Sequence, residues 1–174
     1  MSNYQNNRIE GITYFFTVRL ENGDDYLVGN IKLFQAALRS VMRERPFYID
    51  AMVVLPDHIH CLWTLPIVRS DFLVRWESIE KRFTKLLFTS KSSITKDIKS
   101  PIQKIWEYPV ELEEIVDELD YKTHMDYIHF NPVKHGLVDQ VVEWPYSTFH
   151  RLSARGLYPL EWGEDVSLGI EEVI

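Results

Sequence analysis

The chain has 174 residues, 45% of apolar type and 26% charged, which suits one globular domain with a real core and excludes disordered, collagen-like and coiled-coil classes. A single cysteine excludes a disulfide framework, no apolar run reaches the ~18–20 residues of a membrane span, and the polar start MSNYQNNRIEG lacks a signal-peptide core, so a cytoplasmic location is expected. The net charge of −7 argues at first against nucleic acid, but it is polarised: residues 107–126 hold eight acids and one base, while residues 69–104 hold nine bases and four acids.

Ile12–Leu20, rich in β-branched and aromatic residues, predicts a strand, and Glu21–Asn30 a loop. Ile31–Glu44 sets Ile31, Phe34, Ala37, Leu38 and Val41 at helical spacing and predicts an amphipathic helix, stopped by Pro46. Tyr48–Leu55 and His58–Leu65 are apolar runs divided by Pro56-Asp57, the pattern of a hairpin. Ser70–Phe88 repeats Phe72, Trp76, Ile79, Phe83 and Leu87, a second helix. The lysine-bearing stretch from Lys91 to Pro101 reads as loop, and Gln103–Tyr108 as a short strand or turn.

Glu111–Phe130 predicts a third helix. Pro132 disfavours the α conformation at Asn131 and should end it there. From Glu143 onward two prolines and several aromatics suggest a segment wrapped over the core. The order strand, helix, strand, strand, helix is that of an α+β, ferredoxin-like antiparallel sheet with helices packed on one face. The expected organisation is one domain over residues 1–174, with a core at about 12–142 and a C-terminal extension at about 143–174.

Three groups of residues carry possible chemistry. In Asp57-His58-Ile59-His60 the two histidines share one face of a strand, close enough to hold one cation, while Cys61 points to the other face. The alternative is a pair of strand histidines that merely face solvent. A further ligand must come from elsewhere, and the segment to search is 120–131, where Asp120, His124, Tyr127 and Asn131 fall on one helical stripe. The plain alternative there is a solvated polar face. On the second helix, Arg75, Arg82 and Lys85 form a basic stripe suited to phosphates, or an ordinary charged surface. No P-loop, dinucleotide fingerprint or nucleophile elbow is present.

The stretch Leu55-Pro56-Asp57-His58-Ile59-His60, followed by Tyr127-Ile128-His129-Phe130-Asn131-Pro132-Val133-Lys134-His135-Gly136, resembles the single-tyrosine HUH transposases, and among them the REP-associated tyrosine transposases. Lys81-Arg82-Phe83-Thr84 and Trp144-Pro145-Tyr146-Ser147-Thr148 carry the same resemblance. It implies a ferredoxin-like core, a divalent ion (Mn²⁺ or Mg²⁺) held by His58, His60 and Asn131, and Tyr127 as nucleophile. The resemblance does not name what takes the phenol's proton; the nearby metal, a water and His124 as an auxiliary group are the candidates. The implied partner is hairpin-forming single-stranded DNA, nicked and rejoined through a 5′-phosphotyrosine, by a monomer or homodimer. The competing expectation is a silent relative that binds structured single strands without cutting, and a weaker one is a metal hydrolase without a covalent step.

Overall fold

In the computed structural model, which describes residues 10–21, 25–69, 71–90, 99–100 and 103–164, the sheet is built from β1 (Gly11–Arg19), β2 (Tyr48–Val54), β3 (His58–Pro66) and β4 (Glu111–Glu114). All neighbours are antiparallel and the order is β2-β3-β1-β4, the ferredoxin-like arrangement. The helices are α1 (Tyr26–Gly29), α2 (Ile31–Glu44), α3 (Phe72–Ser90), α4 (Glu118–Lys134) and α5 (Phe149–Ser153).

Strand alternation divides the core in two. Phe16 and Val18 of β1 and Ile59, Cys61 and Trp63 of β3 meet Phe34 and Val41 of α2 and Trp76, Ile79 and Phe83 of α3. Phe15 and Leu62 point the other way and meet Tyr121, Met125, Tyr127 and Ile128 of α4, with Phe149 and Leu152 of α5. The helices therefore cover both faces of the sheet rather than one. The face that carries His58 and His60 is the one α4 closes. The C-terminal stretch lies along β2, where Val54 donates to the Tyr146 carbonyl at 2.9 Å and Thr148 to that of Met52 at 2.9 Å.

The chain departs from the local sequence rules at three places. The expected loop Glu21–Asn30 includes the short α1. Around Gln103–Tyr108 the described residues form no strand, only an isolated bridge between Leu20 and Trp106. The third helix starts later and ends later than its pattern suggests. Glu111–Glu114 pair with β1 instead, and the helix begins after Asp117, whose carboxylate accepts from the Asp120 N–H at 2.8 Å. It then runs through Pro132 to Lys134. Proline there forfeits one backbone bond, while the same turn buries Phe130, Asn131 and Pro132, and His135 N–H restores the ladder to Asn131 at 3.0 Å. The expected lysine loop falls largely at residues 91–98, outside those described.

Candidate active site

His58 and His60 lie on the face of β3 covered by α4, so they do not face solvent as an open strand would have them. They are 3% and 1% exposed, with ring centroids 4.9 Å apart. Each ring is held from behind through Nδ1. His58 Nδ1 is 2.6 Å from Asp57 Oδ1, and His60 Nδ1 is 2.7 Å from Thr17 Oγ1. Thr17 stands opposite His60 in the β1–β3 ladder, which places the hydroxyl. The Asp57 bond requires the hydrogen on Nδ1 of His58, which leaves Nε2 with its lone pair.

Both Nε2 atoms are buried and have no hydrogen-bond partner, and the same holds for both amide atoms of Asn131, which is fully buried. Asn131 sits beside His60. Four orphaned polar atoms in one place are costly unless a ligand completes them. Burial lowers the His58 pKa and drives that of His60 well below its ordinary value, where the charges of His58, Arg19 and His135 add to the effect. Both imidazoles are therefore neutral, the form a metal ion binds. Two imidazole nitrogens and an amide oxygen fit a divalent cation.

His135 joins this group, although sequence reasoning passed over it. Its ring is 5.1 Å from that of His58, and the ligand nitrogens of His58, His60 and His135 lie within 4.8 Å of one another. The signal was present: once the helix is carried through Pro132, His135 falls one turn beyond Asn131 on the same side.

Tyr127 is on the buried stripe of α4, 5% exposed, with its ring centroid 5.2 Å from that of His60. Lys134 Nζ stands 5.0 Å over that ring. Tyr121, one position off the stripe, donates its hydroxyl to Asp50 Oδ1 at 2.8 Å. His124 is buried, and its ring packs 4.5 Å from that of Phe15, which also contacts Tyr127 at 6.0 Å and His60 at 6.1 Å. The stripe Asp120, His124, Tyr127, Asn131 is thus turned inward over most of its length, not solvated.

The basic stripe of α3 does not survive as a surface. Arg75 is buried at 1% exposure, ion-paired with Asp71, and donates to the Pro46 carbonyl at 3.3 Å. Arg82 pairs with Glu44 of α2 and bonds Ser40. A helix face facing another helix needs its charges neutralised, so these arginines tie α3 to its surroundings. Lys85 alone of the three is exposed. The positive groups near the histidines are instead Arg19 and Lys134.

No family model matches the chain. It is 45% identical over 168 residues to a REP-associated tyrosine transposase of Escherichia coli, covering 96% of this chain and 94% of that protein. It is 36% identical over 173 residues to a putative REP-associated tyrosine transposase of Haemophilus influenzae, covering 98% of each. A solved structure of a REP-associated tyrosine transposase bound to a REP hairpin superposes with a TM-score of 0.77 at 43% identity, over 100% of this chain and 99% of that one.

Proposed function

The chain belongs to the REP-associated tyrosine transposase family, and from that premise we propose that it is a metal-dependent enzyme that nicks and joins hairpin-forming single-stranded DNA through Tyr127. The observation that carries the reading is the set of orphaned buried atoms on His58, His60 and Asn131 beside the Tyr127 ring. His58, His60 and Asn131 would hold the ion, with the exposed His135 beside His58. A divalent cation held there would supply Lewis-acid stabilisation of the charge that develops on the scissile phosphate. Two imidazoles favour Mn²⁺ over Mg²⁺, which prefers an oxygen shell.

The protein's own groups do the rest. Asp57 and Thr17 fix the imidazole orientations. Arg19 and Lys134 supply positive charge where the DNA backbone arrives, in place of the stripe on α3. The Tyr127 phenol gives up its proton as its oxygen attacks phosphorus, the bond to the 3′ oxygen breaks, and that oxygen takes up a proton as it leaves. The DNA keeps its phosphodiester energy in a 5′-phosphotyrosine, which a later 3′-hydroxyl reverses. The Tyr127 ring packs against that of His60 within one chain, which supports a tyrosine that serves its own centre.

The acidic segment 107–126 favours the rival reading, a protein that binds folded single strands without cutting. A labelled REP-type hairpin oligonucleotide, Mn²⁺ and a denaturing gel separate the two. The enzyme leaves a protein–DNA adduct that survives denaturation, and the binding protein leaves none.

A further inference from the structure

A second group of ligand-capable side chains lies where β4 meets α4. Glu113 of β4 and Asp120 and His124 of α4 bring their ligand atoms within 4.8 Å of one another. The His124 side chain is 3% exposed. Its Nδ1 is 2.9 Å from the Asp120 carbonyl oxygen, which only accepts, so Nδ1 carries the hydrogen. Nε2 of the neutral ring is then a lone-pair nitrogen. It is buried, makes no hydrogen bond, and faces Glu113 Oε2 at 3.6 Å.

Asp120 divides its carboxylate. Oδ2 accepts from the Val116 N–H at 3.0 Å, and Oδ1 lies 2.9 Å from His124 Nδ1, sharing that hydrogen with the carbonyl. A buried lone pair turned toward the Glu113 carboxylate, with the Asp120 carboxylate at the Nδ1 edge of the same ring, is unfavourable until positive charge enters beside Nε2. Exposed acids alone would mean little. The buried, unpartnered imidazole nitrogen aimed among them is what marks a ligand position.

We propose that Glu113, Asp120 and His124 form a second divalent-cation site, taking an ion that accepts mixed imidazole and carboxylate ligands such as Mn²⁺ or Zn²⁺. It shares no residue with the His58–His60 centre and does not rest on the transposase reading. An ion there pins β4 to α4 one turn before Tyr127. It also places positive charge inside the acidic segment, where uncompensated carboxylates would repel DNA. The rival occupant is a proton on Nε2, which would make His124 an imidazolium between the two carboxylates.

Counting bound Mn²⁺ on the full chain at neutral pH, from the loss of free-ion signal in electron paramagnetic resonance, tests this. The wild type should bind two ions, Glu113→Gln/Asp120→Asn one, and His58→Ala/His60→Ala one. The first pair preserves side-chain shape, and circular dichroism checks its folding. A count that Glu113→Gln/Asp120→Asn leaves unchanged overturns the proposal, as does a wild-type count of zero. A wild-type count of one that this pair abolishes upholds it and removes the His58–His60 centre instead. Should the pair fail to fold, the His124 ring resonances decide: Mn²⁺ broadens them in His58→Ala/His60→Ala if the site exists, and sharp resonances at saturating Mn²⁺ overturn it.

Discussion

The ring of Tyr127 lies edge-on to that of His60, 73° between planes and 5.2 Å between centroids. One residue comes from the helix that closes the sheet and the other from the strand beneath it. The other phenol of this helix, Tyr121, gives its hydroxyl to Asp50. Of the two phenols on α4, Tyr127 is the one whose ring packs against the histidine strand.

Tyr127→Phe removes one oxygen and keeps the ring packing against Phe15 and His60. The variant should bind hairpin DNA and Mn²⁺ with wild-type affinity and form neither adduct nor cleavage product. Adduct at the wild-type rate on a denaturing gel would exclude Tyr127 as nucleophile.

Thr17→Val keeps volume and deletes the bond that orients His60. Loss of such an orienting partner costs about 10–100-fold in metal affinity. Stability should change by only ~1 kcal/mol. Titration calorimetry with Mn²⁺ and chemical unfolding measure the two effects separately, and an unaltered Mn²⁺ affinity would show that His60 needs no such support.

Asn131 is fully buried with both amide atoms unpaired, whereas His135 is exposed at the end of α4. Asn131→Ala should therefore weaken Mn²⁺ binding more than His135→Ala, and excess Mn²⁺ should restore part of its cleavage because the phenol remains. The reverse ranking would move the third ligand from the amide to the imidazole.

Arg75 and Lys85 sit on one helix with opposite fates. Arg75→Ala leaves Asp71 without its closest partner and opens a space in the interior, so it should cost on the order of 3 kcal/mol of stability. Lys85→Glu should leave stability within ~0.5 kcal/mol. Urea unfolding of the two variants tests this, and equal midpoints would refute the internal role given to Arg75.

Burial raises the Glu80 carboxyl above its usual range, against the opposing bond from the Tyr108 hydroxyl and the charge of Lys104. As pH climbs past the ordinary glutamate value of 4.5, the unfolded chain loses this proton before the folded one does. The group's contribution is thus complete below that value and lost as pH rises through the folded value. Glu80→Gln, which can still accept from Tyr108, should match the wild type near pH 4 and exceed it in melting temperature at pH 7. A variant less stable at pH 7 would contradict this.

What the sequence discloses follows from how local each signal is. The phase of His58-Ile59-His60 and the stripe through Tyr127 and Asn131 are set by the periods of strand and helix, and both hold. That the two meet is tertiary: it depends on α4 crossing the sheet face opposite α2 and α3, which no period states. The strand at Glu111–Glu114 was hidden because glutamates carry no alternation, and pairing with Tyr14–Thr17 decides its state. Arg75 was misread because a charged stripe looks the same whether water or another part of the chain faces it. His135 was lost with the helix end, since the bias against helix before proline is smaller than what the last turn buries.

β4 has one further consequence. It is an outermost strand, fully exposed, with a carboxylate at three of its four positions. The opposite outermost strand, β2, gives backbone groups of Met52 and Val54 to residues 146–148 and the carbonyls of Ile49 and Asp50 to Arg151. One margin of the sheet would set like charges against like if a second copy tried to add a strand, and the other is already occupied. Among the described residues, then, neither margin of the sheet offers the bare, uncharged backbone edge on which a second copy could stack toward a fibre.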